Sequence, residues 1–311
     1  MKKTFLLAAV ALVAGFGKIA AQEQATYSQY QLFPVLINPA LAGFNEKHEV
    51  LMNVRSQWAG FPGAPKGLTL MYNGPFGDNI GLGASLFNEN IGSVSRQRIA
   101  LNFAFRYRIG ATKIGMGFST EFHRNSLAQG IENGIYDGGD PLAEQYINGV
   151  KIFDASAGIH ALYREQLFVG LAIPNMIRAR LDEVPGVDAN KRDGNAYIFN
   201  LGYIANVQSL NCKLVPSIAL RKIYNVPYQV DLNLRGEFID QKLMAGITLR
   251  PSTGGSSAFM IGTKLKAFQF HYSYDISFQR FQKYNTGSHE LSLMFDFARA
   301  QKKFDASERF K

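Results

Sequence analysis

The sequence predicts an all-β protein, a transmembrane antiparallel β-barrel of about fourteen strands with short periplasmic turns and longer outer loops. Three observations predict it: unbroken alternation of apolar and polar residues, segments of about ten residues, and connection lengths that sort by parity. The alternation is cleanest in Ile99–Ile109, which reads IALNFAFRYRI. Ile99, Leu101, Phe103, Phe105, Tyr107 and Ile109 fall on one face; Ala100, Asn102, Ala104, Arg106 and Arg108 fall on the other. A period of two is a β-strand. In a soluble sandwich the apolar face turns inward and the arginines meet water. In a membrane barrel the apolar face meets lipid and the arginines line a wet lumen.

The chain divides into four parts. Residues 1–21 read as a secretory signal peptide: Lys2 and Lys3, the apolar run Phe5–Phe16, then Ala20 and Ala21 with cleavage near Ala21. The run is too short for a membrane helix, and it holds no cysteine to carry a lipid anchor. Residues 22–46 lack alternation but carry Tyr27, Tyr30, Leu32, Phe33, Val35, Leu36 and Ile37. A stretch this apolar does not float free in water, so it reads as a plug in or under the barrel, with partner docking as the other reading. Asn38-Pro39 and Gly43 mark a rigid turn into the first strand. Residues 47–297 form the barrel, and 298–311 a basic periplasmic tail.

Strands are expected at 48–58, 66–73, 79–88, 94–109, 113–123, 152–163, 166–173, 196–206, 211–222, 226–238, 241–250, 256–265, 267–277 and 287–297. With the mature N-terminus in the periplasm, the even connections are periplasmic and short: Gly74–Asp78, Gly110–Thr112, Arg164–Glu165, Val207–Leu210, Ile239–Asp240 and Lys266. The odd ones include Arg124–Lys151 and Pro174–Asn195, the longest. A sandwich has no reason to sort loops by parity. Trp58, Tyr72, Tyr163, Tyr203 and Tyr274 stand at strand ends, as interfacial aromatics do.

Of 311 residues 47% are apolar, yet the mean hydropathy is close to zero, which excludes a helical membrane bundle. The formal charge of +9 loses three units with Lys2, Lys3 and Lys18. No nucleic-acid module accompanies that charge, whose residues are spread through strands. Lumen arginines Arg96, Arg98, Arg106, Arg108 and Arg235, with Glu121, Asp231, Glu237, Asp275 and Glu290, are placed to form a cross-lumen ion-pair network. With the N-terminal segment they would close a lumen too wide for small side chains to fill. The other reading of these charges is a wet, anion-selective pore.

Chemistry is sparse. Cys212, the only cysteine, reads as a small apolar strand residue. His48, His123, His160, His271 and His289 stand at no zinc spacing. Asp137–Pro141 lacks the further ligands of a calcium loop. Gly81-Leu-Gly83 and Gly115-Met-Gly117 sit inside strands with no helix to follow, so they relieve crowding or permit curvature rather than cradle phosphate. No nucleophile has a placed base. The expectation is no enzyme, no metal and no cofactor.

Motifs run through the mature chain in order: Tyr27-Ser-Gln-Tyr30, Asn38-Pro39-Ala40-Leu-Ala-Gly43, Arg55-Ser-Gln57-Trp58, Phe61-Pro-Gly63-Ala-Pro65, Tyr272-Ser-Tyr274-Asp275 and Gly287-Ser288-His289-Glu290. Together they resemble the PorP/SprF family of Bacteroidota outer-membrane proteins, closest to its PorP branch. The resemblance implies an integral outer-membrane component of the type IX secretion system. It implies partners in a periplasmic ring lipoprotein, that lipoprotein's partner protein and a peptidoglycan-binding periplasmic protein, with no nucleic acid. Structural or docking roles follow for Asn38, Pro39, Gly43, Arg55, Gln57, Trp58, Asp275, Gly287, Ser288, His289 and Glu290. A docking role follows for the tail through Lys302, Lys303, Arg309 and Phe310. Family tails commonly close on Cys-Pro-Arg-Phe; here Arg309-Phe310 stand without the Cys-Pro. Other members serve one secreted adhesin, and the long loops would then be the contact. From the residues alone, a porin or hydrophobic-solute channel is the alternative.

Overall fold

In the computed structural model the described residues are 27–127, 147–181, 196–224, 227–252 and 254–298. The expected signal peptide, residues 22–26, Asp137–Pro141, most of the two longest loops and the tail beyond Ala298 lie outside them. The strands are β1 (Lys47–Ser56), β2 (Lys66–Phe76), β3 (Ile80–Ile91), β4 (Val94–Ile109), β5 (Thr112–Leu127), β6 (Val150–Tyr163), β7 (Leu167–Ile173) and β8 (Ala179–Arg180). They continue as β9 (Tyr197–Tyr203), β10 (Ala205–Val207), β11 (Cys212–Lys222), β12 (Gln229–Phe238), β13 (Leu243–Arg250), β14 (Ser256–Leu265), β15 (Phe268–Ser277) and β16 (Ser288–Ala298).

Neighbours in sequence pair antiparallel, and β16 closes on β1 from Lys47↔Ala298 to Ser56↔His289. β8 pairs only with β6. β9 and β10 are one stave interrupted at Ile204, held between β7 and β11. The result is a closed barrel of fourteen staves, each paired on both sides among the described residues, as a sheet in lipid requires.

Which solvent meets the outer face is decided by β4. Its Ile99, Leu101, Phe103, Phe105 and Ile109 are exposed, while Ala100, Ala104 and Arg106 are buried. β15 repeats this: Phe268, Phe270 and Tyr272 face out, whereas Gln269, His271, Ser273 and Asp275 face in. Apolar outside and polar inside inverts the pattern of a water-soluble domain and is the pattern of a barrel in lipid.

The short turns at one end are 77–79, 110–111, 164–166, 208–211, 239–242 and 266–267. Several strand ends differ from expectation. β2 runs through Gly74 and Pro75 to Phe76, because Gly74↔Leu82 and Pro75↔Gly81 continue the ladder where Gly and Pro read as punctuation. β5 and β6 extend past Arg124 and Lys151, which are themselves ladder partners, so that expected loop is shorter. β1 stops at Ser56, which leaves Gln57 and Trp58 in the loop.

The barrel's core is supplied by its own N-terminal segment. Phe33, Val35, Leu41, Ala42 and Phe44 are buried against the wall residues Leu51, Met71, Ala104 and Met294. Residues 27–46 thus run down the lumen from the loop end, near Arg55 and Glu290, to the turn end at β1.

Candidate functional site

Two environments hold the N-terminal segment. The first is polar and lies toward the loop end. The Ser28 backbone N–H donates to Glu290 Oε2 at 2.8 Å, and its hydroxyl donates to Asp275. That hydroxyl also accepts from Arg55 and Arg250, each at 3.2 Å. Its single proton and both lone pairs are therefore used. Arg55 spans the two carboxylates, 2.5 Å from Glu290 and 3.2 Å from Asp275. Arg250 spans Asp275 at 3.3 Å and Asp231 at 3.5 Å. Asn53 donates to the second oxygen of Glu290 at 2.9 Å. All these charged groups are buried, where a charge survives only when paired.

Polar contacts continue along the segment. Tyr27 meets Thr69 at 2.9 Å. The Gln29 amide donates to the Glu290 carbonyl at 2.9 Å. Asn233 donates to the Tyr30 hydroxyl at 2.9 Å and accepts from Gln31 at 2.9 Å. Arg235 donates to the Gln31 carbonyl at 2.7 Å.

The second environment is an elbow of backbone. Pro39–Leu41 is one 3-10 turn, capped by Asn38, whose side-chain oxygen accepts from the Ala40 N–H at 3.0 Å. The same amide donates to the Ile159 carbonyl of β6 at 3.2 Å. Gly43 turns the chain at φ +59°, and a Cβ there would lie 2.6 Å from the Gly74 carbonyl oxygen. Across the elbow stand glycines of the wall. A Cβ on Gly117 would lie 2.5 Å from the Pro39 carbonyl oxygen. On Gly81, Gly115 or Gly158 it would run into Ala42, Ala40 or the Asn38 side chain. These glycines make room for the segment. Below the elbow, Arg106 donates to the carbonyls of Gly43, Gly77, Asp78 and Ile80. Lys113 donates to the Phe44 carbonyl and to Glu46, both at 2.6 Å, and holds the Glu46 carboxyl below its ordinary range.

The residues singled out from sequence thus fall into separate places. Asn38, Pro39 and Gly43 form the elbow; Arg55, Asp275 and Glu290 form the buried ion cluster. Trp58, Gly287 and Ser288 join loops at the opposite rim: the Trp58 N–H donates to Ser288 Oγ at 3.1 Å, and Ala59 N–H to the Gly287 carbonyl at 2.8 Å. The Gln57 N–H donates to the Pro65 carbonyl. His289 points outward to the Tyr272 hydroxyl at 2.7 Å, on the opposite face from Glu290. Lys302, Lys303, Arg309 and Phe310 lie outside the described residues.

The lumen charges do not make one cross-lumen network. Arg98 pairs with Glu121 at 3.7 Å and Arg235 with Glu237 at 3.3 Å. Arg108 leaves the lumen altogether and pairs with Glu165 at an exposed turn, 3.0 Å away. Arg98, Arg108 and Arg235 pair locally, Arg106 meets backbone carbonyls, Asp231, Asp275 and Glu290 share a cluster with Arg55 and Arg250, and the N-terminal segment fills the middle. Sequence reading missed Arg250 and the hydroxyl of Ser28. The signal for Arg250 was its place two residues after Thr248, on the inward face of β13. Among the described residues no three His, Cys, Asp or Glu side chains gather as a metal would require.

A closed barrel with an inverted surface and its own N-terminal segment in the lumen defines an integral outer-membrane protein. The family model "Type IX secretion system membrane protein PorP/SprF" matches residues 19–295. The chain belongs to the PorP/SprF family and is an outer-membrane component of the type IX secretion system. No curated protein matches the sequence. Among solved structures it is similar to the P. putida toluene transporter TodX, at 11% identity and TM-score 0.50 over 85% of this chain and 94% of that one. It is also similar to the CymD monoaromatic hydrocarbon channel, at 10%, 0.49, 91% and 96%. The Acinetobacter baumannii outer membrane protein Omp33 aligns at 8%, 0.47, 81% and 99%. The likeness to TodX shows the fold alone.

Proposed function

We propose that this protein is a non-enzymatic anchor. It would hold the periplasmic ring lipoprotein, that lipoprotein's partner protein and a peptidoglycan-binding protein against the outer membrane. The observation that supports this reading is the occupied lumen. Residues 27–46 are bonded to both halves of the wall, an arrangement suited to a rigid pedestal and ill suited to a conduit. The turn end, the N-terminal segment and the tail 298–311 would then face the partners, with the signal peptide removed near Ala21.

Two measurements test it. Affinity purification from solubilised outer membranes should recover periplasmic type IX proteins, identified by mass. Purified protein in a planar bilayer should pass no steady current. A steady open current without co-purifying partners would replace the anchor with the channel reading.

A further inference from the structure

Beneath the N-terminal segment the lumen is not full. A recess of about 480 Å³ opens at the short-turn end, the periplasmic end of an outer-membrane barrel. Its lining mixes apolar side chains, Leu41, Phe44, Leu162, Val215, Met244 and Met294 among them, with polar and charged ones. Tyr30, Leu32, Pro34, Ile37 and Leu41 of the N-terminal segment form part of its wall. Its size lies within the ordinary range for a ligand-binding cavity. It faces the aqueous lumen rather than lipid, so its occupant arrives from the periplasm.

The charges at its mouth say what kind of occupant fits. Every carboxylate lining the recess is engaged. Glu49 accepts from Asn73 at 2.7 Å, Glu237 faces Lys213 at 3.2 Å, and Asp296 faces Lys264 at 2.8 Å. Around them, Lys242 and Lys266 stand exposed on the neighbouring turns. Among the described residues neither ammonium has an acidic partner. Asp240, on the turn of Lys242, meets only the neutral amide of Asn211 and offsets one of these lysines. The cations of the lining and the two turns still outnumber the carboxylates, so the mouth complements an acidic approaching surface. The chain's own tail has the wrong sign for it: residues 299–311 carry Arg299, Lys302, Lys303, Arg309 and Lys311 against only Asp305 and Glu308.

The geometry points to a socket: a periplasmic protein inserts an apolar segment flanked by Asp or Glu into this recess, its carboxylates meeting Lys242 and Lys266. This rests on the anchor reading and gives it a contact surface. Apolar burial would supply the affinity and the lysines the register, a division common at protein interfaces.

A photo-crosslinking amino acid placed at Met244 in the full-length protein, in its native membrane, tests the socket. A second copy of the experiment places it at Gln241, which lines the recess but is exposed and outside the packed interior, in case the inner position disturbs folding. Heat-modifiable migration on a gel reports that the barrel has formed. The expected product joins the barrel to a periplasmic protein through a peptide with apolar residues flanked by carboxylates. The double variant Lys242→Glu, Lys266→Glu should lower the yield about tenfold. Crosslinks to residues 299–311 of the same chain, to lipid or to a small apolar molecule overturn the socket. So does unchanged yield in the double variant, or no crosslink from either position. If wild-type protein still co-purifies its periplasmic partners while these fail, the socket alone is wrong. If wild-type protein recovers none, the anchor reading has failed first.

Discussion

The two halves of the barrel wall hold the same segment by different physics. The half built from β1, β12, β13, β15 and β16 offers buried side chains: Arg55, Asp231, Arg250, Asp275 and Glu290 close around Ser28. The half built from β3, β5 and β6 offers their absence: Gly81, Gly115, Gly117 and Gly158 let backbone approach at Asn38–Ala42. Charge pairing is strict about partners and costly to leave half made. Close packing is strict about volume and indifferent to charge. One end of the segment is therefore chosen by chemical identity and the other by shape. A damaged barrel should reveal which end was lost.

The largest effect is expected at the polar end. Arg55→Met leaves Glu290 buried without its ion-pair partner and Asp275 with Arg250 alone. Breaking a buried pair this way costs about 3–5 kcal/mol, read as a fall in the urea midpoint of the detergent-solubilised barrel. The comparison sharpens with Arg55→Met, Glu290→Met, which removes a charge of each sign. The double variant should lose clearly less than the sum of the single ones. Additive losses would mean that Arg55 and Glu290 do not act as a pair.

Volume should matter at the other end, and less. Gly117→Val places two methyl groups where the Pro39 carbonyl lies. Overpacking of this kind costs about 1–3 kcal/mol. The elbow must move, so protease cleavage within residues 27–46 should rise while the barrel still migrates as folded on a gel. An unaltered cleavage rate would show that the glycine serves wall curvature instead.

The sequence displays these two halves unequally. The strands are legible because period two survives in any window, and Ile99–Ile109 carries it without a break. Strand ends are less so: Gly74 and Pro75 have the composition of a turn but sit in a ladder, since pairing with Gly81 and Leu82 decides the matter across the hairpin. The ion cluster was half visible, as inward charges on separate strands. Which charge meets which depends on strand order and stagger, and so Arg250 escaped notice and Arg108 was misplaced. The glycine cradle was legible only as small residues on an inward face. Its reason lies at Asn38–Ala42, far away in sequence, and no local pattern connects the two.

The smallest effect belongs to the junction where the elbow hands over to β1. Lys113 is shared there between the Phe44 carbonyl and Glu46, and its ammonium also lies 4.7 Å from the centre of the Phe44 ring. Glu46 is largely exposed, so water screens the pair and a contribution of about 0.2–1 kcal/mol is the ordinary range. Because Lys113 lowers the folded-state pKa of Glu46, that contribution is fully present above the unfolded-state value. It disappears as pH falls through the lowered folded value. Glu46→Gln should therefore cost a few tenths of a kcal/mol at neutral pH, and its urea midpoint should converge with that of the wild type under acid conditions. Lys113→Met should cost more at neutral pH, because the Phe44 carbonyl loses its donor and the ring its cation. Equal losses in the two variants would reduce the junction to a simple surface ion pair. The larger loss at Lys113 would mark it as the point where the shape-chosen end of the segment is fastened by charge.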